Sequence, residues 1–213
     1  DVILAVGTRL ANPNLLDGQQ VIQIDIDADE LGRNYSNTVG IQGDARRTLE
    51  ELHAVLSAAG PARPSRRGEL ESMRSERSES ANRVEPQDGL LGAIREAMPE
   101  DGIMIAGMTQ IGYYSRSNFP VYLPGTYITS SYYGNLGFAY PTALGAKVAR
   151  PEVPVVALCG DGGFLFNSQE MATAVMYGIS VVVVVFNDNA YGNVMRAQIN
   201  RFDGRVVGSR LHN

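Results

Sequence analysis

Asp161 and Asp188 are the residues of this 213-residue chain to which a chemical task is most readily assigned. Asp161 lies in Gly160-Asp161-Gly162-Gly163, and Asp188 in Asn187-Asp188-Asn189-Ala190-Tyr191-Gly192. Each motif follows an apolar run, residues 153–159 and 181–186, that reads as a buried parallel strand. Each acid is thereby delivered to the carboxyl end of a strand, where open α/β sheets bind ligands. The acids are 27 positions apart, enough for one strand–helix–strand crossover. A third glycine-rich stretch, Gly134-Asn135-Leu136-Gly137, lies upstream. A metal ion with a phosphate-bearing cofactor accounts for all three economically.

Taken singly, each stretch has a plainer reading. Gly160 to Gly163 is also a tight turn, with glycine supplying positive φ and aspartate bonding its own backbone. As a ligand site, its bare backbone N–H groups form a nest for diphosphate oxygens, and Asp161 holds a divalent cation bridging them. Magnesium suits that arrangement, because it takes few protein ligands and completes an oxygen shell with substrate phosphates. The Asn187-Asp188-Asn189 run also favours turns, but here it follows five valines and a phenylalanine and marks the end of a central strand. Asp188 then supplies a second carboxylate and Ala190 a backbone carbonyl. Pro141 suits the first turn of a helix after the third stretch, yet this does not explain glycines on both sides of Leu136. Two rival sites fail on spacing. A dinucleotide fingerprint needs a glycine where the run from Gly160 has Leu165, and Gly145-Ala146-Lys147 is not a P-loop.

The elements that must hold these motifs are legible from hydrophobic spacing. Residues 87–98 carry a helical apolar stripe of Leu90, Leu91, Ile94, Ala97 and Met98, stopped by Pro99. A strand at 102–106, a helix near 110–118, a strand at 126–129 and a helix near 141–149 follow. After the Asp161 strand, Asn167 and Glu170 form a capping-box-like start to another helix. A last helix is expected near 191–200, and residues 201–213 read as polar loop. The pattern is that expected of a doubly wound parallel α/β domain over residues 86–213, whose C-terminal end is expected to be truncated. Residues 1–56 read as strands at 1–7, 21–27 and 39–42 with a helix at 45–56, the second half of another Rossmann-like α/β domain. Residues 57–85, rich in Arg, Glu and Ser around Pro61 and Pro64, read as a solvated linker whose portion 68–82 could be a polar helix.

Composition narrows the function classes. A net charge of −5 gives no basic footprint for nucleic acid. The longest apolar run is far short of the roughly 20 residues that span a bilayer, and there is no signal-peptide pattern. The single cysteine, Cys159, excludes an internal disulfide and reads as core packing, which fits a reduced cytoplasmic setting. His53 and His212 lie away from the motifs.

Together the three stretches resemble the diphosphate-binding domain of thiamine-diphosphate-dependent enzymes of the acetolactate synthase, pyruvate decarboxylase and benzoylformate decarboxylase superfamily. The likeness is strong over residues 87–202 and weaker over 1–56, which resemble the end of the family's middle domain. It implies thiamine diphosphate and Mg as cofactors, with Asp161, Asp188 and the Ala190 carbonyl as metal ligands. Gly160, Gly162, Gly163, Asn189, Tyr191 and Gly192 then lie against the cofactor. Leu136 matches the bulky aliphatic that forces the cofactor's bent conformation and is the candidate catalytic residue; the Gly134 carbonyl and Leu136 amide bond the aminopyrimidine edge. Asp188 departs from the family, most members having asparagine there. The resemblance further implies a 2-oxo acid substrate, a homodimer or homotetramer, and an activating glutamate on an N-terminal pyrimidine-binding domain that this chain lacks. The 213 residues alone are therefore expected to be catalytically silent. Decarboxylation with carboligation of acetolactate synthase type is the leading expectation. A benzoylformate- or indolepyruvate-type decarboxylase, or a non-catalytic dimerising relative, is the alternative.

Overall fold

The computed structural model describes residues 2–11, 15–36, 38–60, 64–80, 83–130 and 133–212. The chain divides into two compact units, Asp1–Ser80 and Ala81–Asn213.

In the first unit β1 (Val2–Val6), β2 (Gln20–Asp25) and β3 (Thr38–Gln42) form a parallel sheet in that order. The middle strand carries the buried Val21, Gln23 and Ile24, while Val2, Leu4 and Val39 on its neighbours stay exposed. Buried Gln23 is fully used: its amide nitrogen donates to the Thr8 and Glu30 carbonyls, and its oxygen accepts the Gly32 N–H. β2 ends at Asp25 rather than running to residue 27. The Asp25 carboxylate accepts the Asp27 N–H, and Asp27 caps a short 3-10 helix, Ala28–Glu30. Helix α1 (Ala45–Ala58) is capped by Asp44, which accepts the Arg47 N–H at 3.0 Å. Within the expected linker, residues Arg67–Ser80 form helix α2, supported on its surface by Arg66–Glu69 and Arg67–Glu71 ion pairs.

The second unit contains α3 (Gln87–Ala97), β4 (Ile103–Ala106), α4 (Gln110–Asn118), β5 (Tyr127–Thr129), α5 (Ala139–Ala149), β6 (Val155–Gly160), α6 (Asp161–Leu165), α7 (Glu170–Tyr177), β7 (Val182–Phe186) and α8 (Gly192–Arg201). Its four strands are parallel in the order β5-β4-β6-β7. Side chains alternate across a strand, and β4 and β6 feed two cores accordingly. Ile103, Ile105, Ala157 and Cys159 pack with Tyr140, Ala143 and Leu144 of α5 on one face. Met104, Val156 and Leu158 pack with Leu91 of α3, and with Ile111 and Phe119 at α4, on the other. The connection leaving β4 runs to the α4 face, whereas Phe164 and Ala174 after β6 pack on the α5 face. A crevice opens between β4 and β6 where the connections diverge.

Three expectations are corrected here. β7 is an edge strand of the described sheet, with Val182 and Val185 exposed, rather than a central buried one. No capping box forms at α7. The Asn167 amide instead donates to the Gly137 carbonyl at 2.8 Å, and Glu170 accepts the Thr173 hydroxyl. Finally, the segment after α8 is not a trailing loop, since Ala190 and Arg210 make an antiparallel bridge.

Candidate active site

All the expected residues except Asn189 meet in one open cleft of about 200 Å³ at the carboxyl ends of β4, β6 and β7. Gly160 ends β6 in extended conformation, and Asp161 begins α6. The Gly-Asp-Gly-Gly stretch is thus a strand end passing into a helical turn rather than a free-standing tight turn. The consequence for anion binding is similar, because first-turn N–H groups of a helix lack intrahelical partners. Asp161 is buried, and it lines the cleft with Gly160, Gly162 and Gly163.

From β7 come Asp188, Ala190, Tyr191 and Gly192. Asp188 folds over its own loop: one carboxylate oxygen accepts the Ala190 N–H at 3.2 Å, and the other lies against Gly192, where a Cβ would collide with it. Asn187 accepts the Asn189 N–H at 2.9 Å. Asn189 is the expected residue that the structure does not bring to the cleft. It takes a left-handed φ of 55°, is exposed and is not among the residues lining the cleft.

The third stretch supplies Gly134 and Leu136 to the same lining. Gly134 has φ 62°, and a Cβ there would stand 2.7 Å from Met108 Cε. Gly137 has φ 78°, and a Cβ would stand 2.7 Å from the Asn167 amide nitrogen and 2.8 Å from Phe166 Cβ. The two glycines therefore let the turn lie close against β4's exit and the α6–α7 connection. Leu136 between them is 38% exposed in the cleft instead of joining the core.

The sequence reasoning missed the wall from β4: Met108, Thr109, Gln110 and Tyr113 also line the cleft. Its signal was available, since Thr109 and Gln110 follow an apolar strand just as Asp161 does. Gly107 permits the close passage of β4 and β6, a Cβ there lying 2.6 Å from the Leu158 carbonyl oxygen. Cys159 lies beneath this floor, and burial pushes its thiol up to about 12, so it stays a neutral packing group.

The donor set would suit a hard cation together with a diphosphate: two carboxylates and one backbone carbonyl beside Gly162 and Gly192, where a side chain would collide with Tyr191 and Asp188 respectively. Among the described residues no group of three or more His, Cys, Asp or Glu could hold a metal, so diphosphate oxygens would have to complete the shell. Among them, too, no helix is long and apolar enough to cross a membrane.

Comparison with known proteins places the chain in a family. The family model described as "Thiamine pyrophosphate enzyme, C-terminal TPP binding domain" matches residues 107–213, and "Thiamine pyrophosphate enzyme, central domain" matches residues 1–52. The chain is 35% identical over 208 residues to the "Probable 2-ketoarginine decarboxylase AruI" of Pseudomonas aeruginosa, covering 91% of this chain and 36% of that protein. It is 30% identical to the acetolactate synthase large subunit of Haemophilus influenzae, covering 96% and 38% respectively. It is 27% identical to the sulfoacetaldehyde acetyltransferase of Castellaniella defragrans, covering 99% and 41%. The chain thus spans about two fifths of the length of these curated relatives. With the C-terminal domain model covering half its residues, the chain belongs to the thiamine pyrophosphate enzyme family.

Proposed function

We propose that the protein carrying this chain uses thiamine diphosphate and Mg²⁺ to decarboxylate a 2-oxo acid and ligate the product to an acceptor, in the manner of an acetolactate synthase. What chiefly supports this reading is the convergence of Asp161, Asp188 and Ala190 with the Gly162–Gly163 backbone in one cleft. The bound cofactor supplies the electron sink for cleaving the bond to the carboxylate. The chain's own residues bind and orient. Asp161, Asp188 and the Ala190 carbonyl would hold the cation, and the first-turn amides of α6 would take the diphosphate oxygens. Leu136 would support the bound cofactor's shape, while Gly134 lets that turn lie close against Met108.

A second reading, simple decarboxylation without ligation, is favoured by the 35% identity to a protein named as a 2-ketoarginine decarboxylase. Incubation of the intact protein with thiamine diphosphate, Mg²⁺ and pyruvate, following carbon dioxide and acetolactate together, separates the two. Acetolactate formed one-to-one with carbon dioxide is expected. Carbon dioxide and free aldehyde without ligation product would favour the second reading, and no cofactor-dependent turnover of pyruvate or other 2-oxo acids would refute both.

A further inference from the structure

The segment following α8 is fastened to the loop that carries Asp188 and Ala190. The Tyr191 N–H donates to the Ser209 carbonyl at 2.8 Å, and the Leu211 N–H donates to the Asn189 carbonyl at 2.8 Å. These two bonds flank Ala190, whose carbonyl is the proposed metal ligand, and make a short antiparallel ladder with Arg210 opposite it. Ladder bonds of this kind fix the direction of the carbonyls between them.

The returning strand is itself anchored by one side chain. Gln198 of α8 donates from its amide nitrogen to the Val207 carbonyl at 2.9 Å, and its oxygen accepts the Ser209 hydroxyl at 2.7 Å. Ser209 is almost fully buried, so its hydroxyl depends on that bond. A second attachment is apolar. Leu211 and the Tyr191 ring both lie over Gly162, where a Cβ would stand 3.1 Å from Leu211 Cδ1 and 2.6 Å from Tyr191 Cε1. The strand therefore touches the metal loop and the diphosphate turn at once.

We infer that Gln198 and Ser209 are positioning residues, a latch that holds the Asn189–Tyr191 backbone in metal-binding geometry before the cation arrives. This rests on the proposed function for the identity of the ligand, but not for the existence of the latch. Partners of this kind around a metal site commonly contribute 10–100-fold in metal affinity when removed.

The test uses the intact protein with Gln198→Leu, Gln198→Glu and Ser209→Ala. Amide exchange, measured without cofactor, should accelerate at Tyr191 and Leu211 in Gln198→Leu and Ser209→Ala while α5 and β6 keep their protection. The Mg²⁺ concentration that half-saturates thiamine diphosphate binding should rise about tenfold in both. Diphosphate affinity at saturating Mg²⁺ should stay unchanged. Gln198→Glu, which keeps the acceptor for Ser209 but loses the donor to Val207, should fall between wild type and Gln198→Leu. Unchanged exchange at both amides overturns the latch, and so does a loss of diphosphate affinity equal to the loss of metal affinity. Unmodified protein that binds no thiamine diphosphate with Mg²⁺ would refute the proposed function, while the exchange result would still decide the latch.

Discussion

Replacing Gly162 by alanine sets two opposing effects against each other. Gly162 lies in the first turn of α6 with no left-handed φ, so alanine is conformationally welcome there and favours the helix by up to about 1 kcal/mol. The new methyl, however, meets Tyr191 Cε1 at 2.6 Å, Tyr191 Cδ1 at 2.8 Å and Leu211 Cδ1 at 3.1 Å. Separations under 3 Å force movement, and overpacking of this kind costs about 1–3 kcal/mol. The ring cannot simply swing aside, because it also packs edge-on to Phe166 at 6.5 Å between centroids. The net expectation is a loss of roughly 0–3 kcal/mol in urea unfolding. Any movement of Tyr191 carries Ala190 with it, so thiamine diphosphate affinity in Mg²⁺ should fall by about tenfold or more in calorimetry. Gly145→Ala is the matched control. It lies within α5 with nothing near its Cβ position and should gain up to about 1 kcal/mol, with unaltered cofactor binding. If Gly162→Ala is as stable as Gly145→Ala and binds cofactor normally, the account of Tyr191 and Leu211 closing over the diphosphate turn is wrong.

Other substitutions address the remaining assignments. Asp188→Asn should keep metal-dependent cofactor binding within a fewfold, since one side-chain oxygen remains, whereas Asp188→Leu should abolish it; equal binding by both would make Asp188 a turn residue only. Leu136→Ala should lower turnover more than cofactor affinity, because Leu136 is proposed to set cofactor shape while phosphate and metal contacts hold it; a parallel fall in both would place it in ordinary packing. Cys159 should resist iodoacetamide at pH 8 in the folded protein, its thiolate fraction being on the order of 10⁻⁴ for a thiol pushed up to about 12. Since the fold favours the neutral thiol, its contribution to stability is intact below the unfolded thiol's pKa of about 8.5 and is lost as pH rises from there toward 12. Rapid stoichiometric labelling of native protein at pH 8 would contradict this burial.

The sheet and the cleft were legible wherever chemistry followed an apolar strand. Residues 153–159 followed by Gly160-Asp161, and residues 181–186 followed by Asn187-Asp188, placed both acids at strand ends. The same rule applied to residues 103–106 would have found Thr109 and Gln110, but these residue types are common at helix starts and carry no charge. Asn167 misled because a helix cap and a turn clamp use the same side chain. Its choice of the Gly137 carbonyl depends on a chain segment 30 positions away. Edge or centre for β7 depends on strand pairing, which a valine run does not encode. The return of residues 207–211 was invisible because backbone carbonyls and amides make most of those bonds, and every sequence offers them.

The central claim is that this cleft binds the diphosphate of thiamine diphosphate through a cation held by Asp161. Calorimetric titration of thiamine diphosphate into the intact protein, with Mg²⁺ and then with the metal chelated, tests it directly, with Asp161→Ala alongside. The expected result is saturable binding that requires Mg²⁺ and vanishes in Asp161→Ala although that variant remains folded. Equal affinity in the presence of chelator, or in Asp161→Ala, would contradict the account.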